Sequence, residues 1–172
     1  MRLFFVVGPS GVGKDTLLSG AIAADPALHW ARRAITRPES AGGEPFEGVT
    51  EAEFSNRLAR GDFALHWDAH GLSYGVPHTE LPLGRDVLLN GSRAAIAQAL
   101  AAFPGLRIIH ITAPVPVLAE RLLGRGRESR DQIEARLIRA DQPLHAAVPV
   151  IEIANDTTPE AGVARLLQAL RA

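Results

Sequence analysis

Of the 18 basic side chains in the sequence a single one is lysine, and it stands inside a glycine-rich stretch: Gly8, Pro9, Ser10, Gly11, Val12, Gly13, Lys14 and Asp15. A general bias toward arginine accounts for the composition at large. It also marks Lys14 as a place that needs a compact point charge on a flexible stem rather than a planar fork. Glycines let successive backbone N–H groups turn toward one centre without Cβ clashes. Those donors, with the positive end of a following helix, cradle a phosphate. Lys14 would then reach the β- and γ-oxygens of a nucleoside triphosphate. The usual pattern places Ser or Thr directly after the lysine to hold Mg²⁺, but here Asp15 stands there and Thr16 follows. A carboxylate can hold Mg²⁺ directly or through water, so Asp15 is the candidate metal ligand. ATP, as phosphoryl donor, and Mg²⁺ are the expected cofactors. A glycine-rich turn unrelated to nucleotides is the competing reading, and it depends on what flanks the loop.

The loop has this meaning only between a strand and a helix. Residues 3–7 are wholly apolar and rich in β-branched and aromatic types, as a buried parallel strand is. Thr16, Leu17 and Leu18 open an apolar-periodic helix reaching about Ala24. Residues 30–36 read as a second strand ending at Arg37-Pro38, and 39–48 as loop by their Gly, Pro and Ser content. Thr50 and Glu53 have capping-box spacing for a helix to about Arg60. Short strands at 63–67 and 72–76 join near His70-Gly71. The rhythm then resumes with a strand at 86–89, a helix at 92–102, a strand at 107–112 and a helix at 115–123. A flexible, charged stretch at 124–128 leads to a helix capped by Ser129 and Gln132 that runs to about Asp141. A strand at 150–154 and a helix opened by Thr158-Pro159 complete the chain. Such alternation implies an α/β domain, a parallel sheet with helices on both faces.

Bulk composition narrows the function classes. At 172 residues, 47% hydrophobic and 22% charged, the chain has the ordinary profile of one globular domain. A net charge of −1 speaks against a broad nucleic-acid footprint, and the lack of cysteine excludes disulfides and cysteine-liganded metals. Residues 1–7 are too short for a signal peptide, and no apolar run approaches the ~20 residues of a membrane span. The expectation is a soluble, cytoplasmic enzyme acting on small molecules, without nucleic-acid or membrane partners. Monomer and homodimer are both open.

Several segments resemble the guanylate-kinase-like family of nucleoside monophosphate kinases. The stretch Gly8 to Lys14 is similar to its P-loop, Ile35-Thr-Arg-Pro38 to its "TTRP" segment, and Gly61-Asp-Phe63 with His70–Gly75 to its acceptor-site strands. Residues 121–136 resemble its lid, and Asn155-Asp156 the segment that approaches adenine. The resemblance spans essentially the whole chain. It implies a P-loop NTPase fold with core 1–36 and 84–172, an acceptor-binding insertion at about 37–83 and a mobile lid at about 121–136. The acceptor site departs from the guanine-reading pattern, with His66 for the expected glutamate and Val76 for Ser/Thr. Glu39, Ser40 and Ala41 occupy the place of the second arginine. A site lacking its hydrogen-bond partners for a base discriminates poorly.

Those departures, together with Asp15 and the stretches Ala64-Leu-His-Trp67, Val87-Leu-Leu-Asn-Gly-Ser-Arg93 and Gly124-Arg-Gly-Arg-Glu128, resemble the ribose 1,5-bisphosphate phosphokinase family. The implied reaction is ATP plus ribose 1,5-bisphosphate giving ADP and 5-phosphoribosyl 1-diphosphate, in phosphonate metabolism. A guanylate kinase is the alternative, and a catalytically dead protein-binding module of the same fold is a third reading that the intact P-loop opposes. Phosphoryl transfer to an anionic phosphate needs no general base; it needs positioning and charge stabilisation. Lys14, Arg121, Arg125 and Arg136 are therefore the catalytic candidates, Arg121 and Arg125 sharing a helix face if the helix continues that far. Residues 8–16, Arg127 and Asn155 are the candidates for nucleotide binding. Arg37, His66, Tyr74 and Asn90 are the candidates for the acceptor. Each arginine also reads as a solvated or ion-paired side chain, His66 as a satisfied core histidine, Tyr74 as a half-buried core residue, and Asn155 as part of a turn.

Overall fold

The computed structural model describes residues 1–126 and 128–172. In chain order the strands are β1 (Leu3–Val7), β2 (His29–Trp30), β3 (Arg33–Ile35), β4 (Phe46–Gly48), β5 (Phe63–Ala69), β6 (Leu72–Pro77), β7 (Val87–Asn90), β8 (Arg107–Thr112) and β9 (Val150–Ala154). The helices are α1 (Lys14–Ala24), α2 (Glu51–Ala59), α3 (Ile96–Ala102), α4 (Val115–Arg125), α5 (Arg130–Ala140) and α6 (Pro159–Arg171). Among the described residues no helix is long and apolar enough to cross a membrane.

Five strands form a parallel sheet in the order β2-β7-β1-β8-β9, with β1 at its centre. Because side chains alternate across a strand, β1 feeds two cores. Phe4 and Val6 pack with Leu17 and Leu18 of α1 and Leu166 and Leu170 of α6. Phe5 and Val7 pack on the other face with Ile96 and Ala99 of α3. Both faces of β1 are covered, which is why its sequence is continuously apolar rather than alternating.

A second sheet, ordered β4-β3-β6-β5, lies against the α3 side. Leu65, Trp67 and Val76 join the core of Phe5 and Leu89, and Trp67 meets Phe5 edge-on with ring centroids 6.0 Å apart. His70 and Gly71 close the β5–β6 hairpin with φ of 53° and 74°, the positive values that two-residue hairpin turns require.

The structure corrects four local expectations. Residues 30–36 are not one strand: β2 ends at Trp30, and the chain crosses Ala31 and Arg32 to start β3 in the other sheet. Residues 39–48 contain β4, which pairs in parallel with β3 at the sheet edge, where glycine and proline nearby do little harm. Helix α3 proper begins only at Ile96, after a single tight turn at Arg93–Ala95. Helix α4 extends through Gly124 and Arg125 and stops at Gly126, whose φ of 61° is the left-handed geometry of a helix end.

Candidate active site

The glycine-rich loop runs from the end of β1 into α1, whose N-cap is Gly13 at φ 92°. A Cβ there would lie 2.7 Å from Asn155 Nδ2, so glycine is required both for the turn and for the approach of that amide. Asn155 is buried and donates to Val12 O at 2.7 Å. Arg121 donates to the same carbonyl at 3.2 Å and to Asn155 O at 2.9 Å. Strand end, loop and α4 are thereby tied into one block.

Two pockets open from this block. The larger, about 600 Å³, extends from the loop across Asp15, Arg37, Tyr74 and Asn90 to Arg125 and Arg136. The smaller, about 260 Å³, lies behind Gly11 and Gly13 and is bordered by Arg121, Arg125, Asn155 and Pro159. Thr16 and Arg125 border both.

Lys14 is half-buried and donates to Gly8 O at 2.8 Å. Desolvation by the surrounding protein, helped by the Arg33 and Arg93 charges and opposed by Asp15 and Glu44, lowers its pKa from 10.5 to about 8. Beside it, Asn90 Nδ2 donates to Asp15 Oδ1 at 3.1 Å and to Glu44 Oε1 at 3.2 Å. Glu44 is buried and holds Arg33 through both carboxylate oxygens. The Arg33 guanidinium also lies over Tyr74, 4.8 Å from the ring centroid, and Tyr74 stacks on Trp67 at 5.5 Å with an interplanar angle of 5°. This ion pair is a buried floor for the cleft and leaves Arg33 with little freedom to serve a ligand.

Arg37 donates Nη2 to Gly42 O at 3.1 Å and lies over Phe46, while its Nε is buried without a partner. A buried orphan donor costs free energy, and a phosphate oxygen is an acceptor of the kind that would satisfy it. Asp15, with one oxygen on Asn90, retains a carboxylate oxygen for a hard cation. Among the described residues no cluster of three or more His, Cys, Asp or Glu side chains could hold a metal. A single carboxylate nevertheless fits Mg²⁺, which takes one or two protein oxygens and completes its shell with phosphates and water.

The sequence-based candidates separate accordingly. The cleft brings together Lys14, Asp15, Arg37, Tyr74, Asn90, Arg125 and Arg136. His66 is elsewhere. It pairs with Gly75, which in turn pairs with Ala34, and this row lies on the side of the second sheet that faces α2. Trp67 and Tyr74, on the alternate row, line the cleft. Arg121 borders the smaller pocket, its Nη groups engaged by two loop carbonyls, and Asn155 reaches the loop through Val12. Arg136 forms an ion pair with Glu128 at 2.9 Å. Arg127 lies outside the described residues. Sequence reasoning missed Arg33, Glu44 and Arg93 as parts of the cleft wall. Arg33 carried little signal, since it opens β3 directly after another arginine, Arg32.

No family model matches the chain. A bifunctional ribose 1,5-bisphosphokinase-thymidine phosphorylase from Cupriavidus necator is 52% identical to it, over 98% of this chain and 29% of the relative. The chain thus spans less than a third of the length of such bifunctional relatives. The ribose 1,5-bisphosphate phosphokinase PhnN of Thiobacillus denitrificans is 46% identical over 98% of this chain and 92% of its own length. That of Ruegeria sp. is 47% identical over 97% and 92%. Among solved structures, guanylate kinase from Anaplasma phagocytophilum aligns over 99% of this chain and 84% of its own, with a TM-score of 0.68 at 18% identity. A sugar kinase from Janibacter sp. aligns at a TM-score of 0.54 and 19% identity, covering 99% and 95%. These two likenesses concern the fold.

Proposed function

The chain belongs to the ribose 1,5-bisphosphate phosphokinase family, and from that membership we propose that it transfers the γ-phosphoryl of ATP to the 1-phosphate of ribose 1,5-bisphosphate. An oxygen of the acceptor phosphate attacks the γ-phosphorus, the bond from that phosphorus to the β,γ-bridging oxygen breaks, and ADP leaves with the bonding electrons. The product is 5-phosphoribosyl 1-diphosphate. The attacking oxygen is already anionic, so no side chain removes a proton.

The observation that carries this reading is the polarity of the acceptor end of the cleft. Arg37, Asn90 and Asp15 offer groups suited to phosphate and hydroxyl oxygens there. The positions at which a guanylate kinase would read a base are turned away, His66 toward α2 and Val76 into the core. In the proposed arrangement the triphosphate lies on the glycine-rich loop with Lys14 at its β- and γ-oxygens, and the adenosine end extends toward the smaller pocket. Arg37 and Tyr74 orient the acceptor phosphate, and Asn90 a ribose hydroxyl. Arg125 and Arg136 face the charge that spreads over the transferring group, where fixed donors stabilise the transition state more than the ground state. Asp15 would hold Mg²⁺, which supplies neutralisation of the polyphosphate when bound. Arg121 and Asn155 act by keeping the loop in shape.

The test is ADP release with Mg·ATP against ribose 1,5-bisphosphate, ribose 5-phosphate, GMP, AMP and dTMP. Turnover confined to ribose 1,5-bisphosphate, with the diphosphate product identified by ³¹P NMR, is the expected result. Turnover with GMP in its place would make the chain a divergent guanylate kinase.

A further inference from the structure

Arg93 stands in the single tight turn that follows β7, three residues after Asn90, and borders the cleft. Its guanidinium is committed not to a carboxylate but to the end of a helix. Nη1 donates to Arg139 O at 3.2 Å and Gln142 O at 3.1 Å, and Nη2 reaches Ala140 O at 3.4 Å. These carbonyls lie at and just beyond the C-terminus of α5, where the last turn leaves acceptors without intrahelical donors and the helix dipole presents its negative end. The opposite end of α5 is closed by its own capping box of Ser129 and Gln132.

The remaining contact fixes the guanidinium from behind. Nη2 lies 3.2 Å from His110 Nε2. Arginine is only a donor, so Nε2 accepts and the ring carries its proton on Nδ1, which points toward Glu152 Oε1 at 3.5 Å. His110 is buried on β8. Desolvation first, then the Arg93 charge, with a smaller contribution from Lys14, lowers its pKa against the raising effect of Glu152. The imidazole therefore stays neutral at physiological pH and keeps its acceptor.

Helix α5 carries Arg136 and Arg139, three positions apart, and both border the cleft. Its own anchorage is modest. Ile133 is its one buried side chain among the described residues, Leu137 and Ala140 pack half-buried against the core, and Ile138 is 64% exposed. We propose that Arg93 is a positioning residue for phosphoryl transfer: seated on His110, it pins the C-terminal end of α5 to the acceptor side of the parallel sheet and so aims Arg136 and Arg139 into the cleft. The kinetic part rests on the phosphoryl-transfer reading above; the mechanical part does not. The latch joins two regions 46 residues apart in sequence, the end of β7 and the end of α5.

Two measurements on the whole chain test it, with Arg93→Met as the variant and Arg93→Lys as its companion. The first is amide hydrogen exchange without ligands. In Arg93→Met, uptake in residues 136–142 rises about tenfold or more while β1 and β8 stay protected. Unchanged exchange in 136–142 overturns the latch. The second is a double-variant cycle with Arg139→Met and with Arg136→Met. If Arg93 acts through α5, kcat falls by about 10- to 100-fold with KM changed less than about threefold, and pairing Arg93→Met with either α5 variant costs little more than the worse single change. Losses that multiply overturn the positioning role in favour of an independent one. Arg93→Lys, whose ammonium cannot span both the helix end and the imidazole, stays close to Arg93→Met. Full activity in Arg93→Lys overturns the proposal. A wild-type chain inactive on every acceptor refutes the phosphoryl-transfer reading, and the exchange data then decide the latch.

Discussion

Lys14 is charged and held near Gly8 O in a site that disfavours its charge, and nucleotide binding should reverse that preference. The group's pKa of about 8 in the ligand-free chain means that about half the molecules lack the proton at pH 8 and about nine-tenths lack it at pH 9. A β-phosphate at hydrogen-bond distance favours the ammonium and returns the pKa toward or above 10.5. Binding ADP should therefore draw about half a proton per site from solution at pH 8, close to one at pH 9, and almost none at pH 7. Calorimetric titration in buffers of different ionisation enthalpy reads this number directly, as the slope of observed heat against buffer enthalpy. Lys14→Met should lose the uptake at pH 8 and 9, and what remains at pH 7 is the nucleotide's own titration.

The same shift has a stability consequence whose sign is opposite to that of a paired lysine. Because the folded-state value lies below the unfolded 10.5, folding disfavours the charged form. The penalty is present in full below about pH 8 and fades as pH rises toward 10.5. Ligand-free Lys14→Met should then be more stable than wild type at pH 7, with the gap closing by about pH 10, as measured by urea denaturation. A buffer-independent heat for wild type at pH 9 would refute the argument, since Lys14 would then already be protonated in the free protein.

Two further outcomes concern the cleft floor and the proposed metal ligand. Glu44→Ala leaves Arg33 buried without its carboxylate and should cost about 3–5 kcal/mol in chemical denaturation, whereas Arg33→Met combined with Glu44→Leu should recover most of that loss. Asp15→Ser should move the Mg²⁺ dependence of turnover to several-fold higher concentration if the carboxylate serves the metal; a superimposable Mg²⁺ titration would reject that role.

What could be read from the sequence was whatever depends on neighbours in the chain. The turn at Gly8–Lys14 needs only its own glycines and the strand and helix on either side, and its local geometry was legible residue by residue. The strand–helix alternation carried the parallel sheet for the same reason. What could not be read was which way side chains face once sheets pair. The register of β5 shifts between Phe63 and Leu65, so Phe63 packs toward α2 with Ala34 while Leu65 and Trp67 pack toward Phe5. Alternation counted from Phe63 therefore gives the wrong face beyond it, and His66, carried over by resemblance alone, lies on the α2 side rather than in the cleft. Arg121 is a different case. Its spacing from Arg125 was right, and α4 does place both at the smaller pocket, but residue type cannot say whether a guanidinium's donors are free or already spent on Val12 and Asn155. Arg93 and Glu44 show the converse. Their partners lie 46 and 11 positions away, across boundaries that no local pattern marks, so groups that shape the cleft most firmly are those the sequence announces least. On the proposed reading, a cleft built this way, with a chain-local cradle for the donor phosphates and walls assembled from distant pairs, lets the walls change acceptor preference while the cradle keeps its donor.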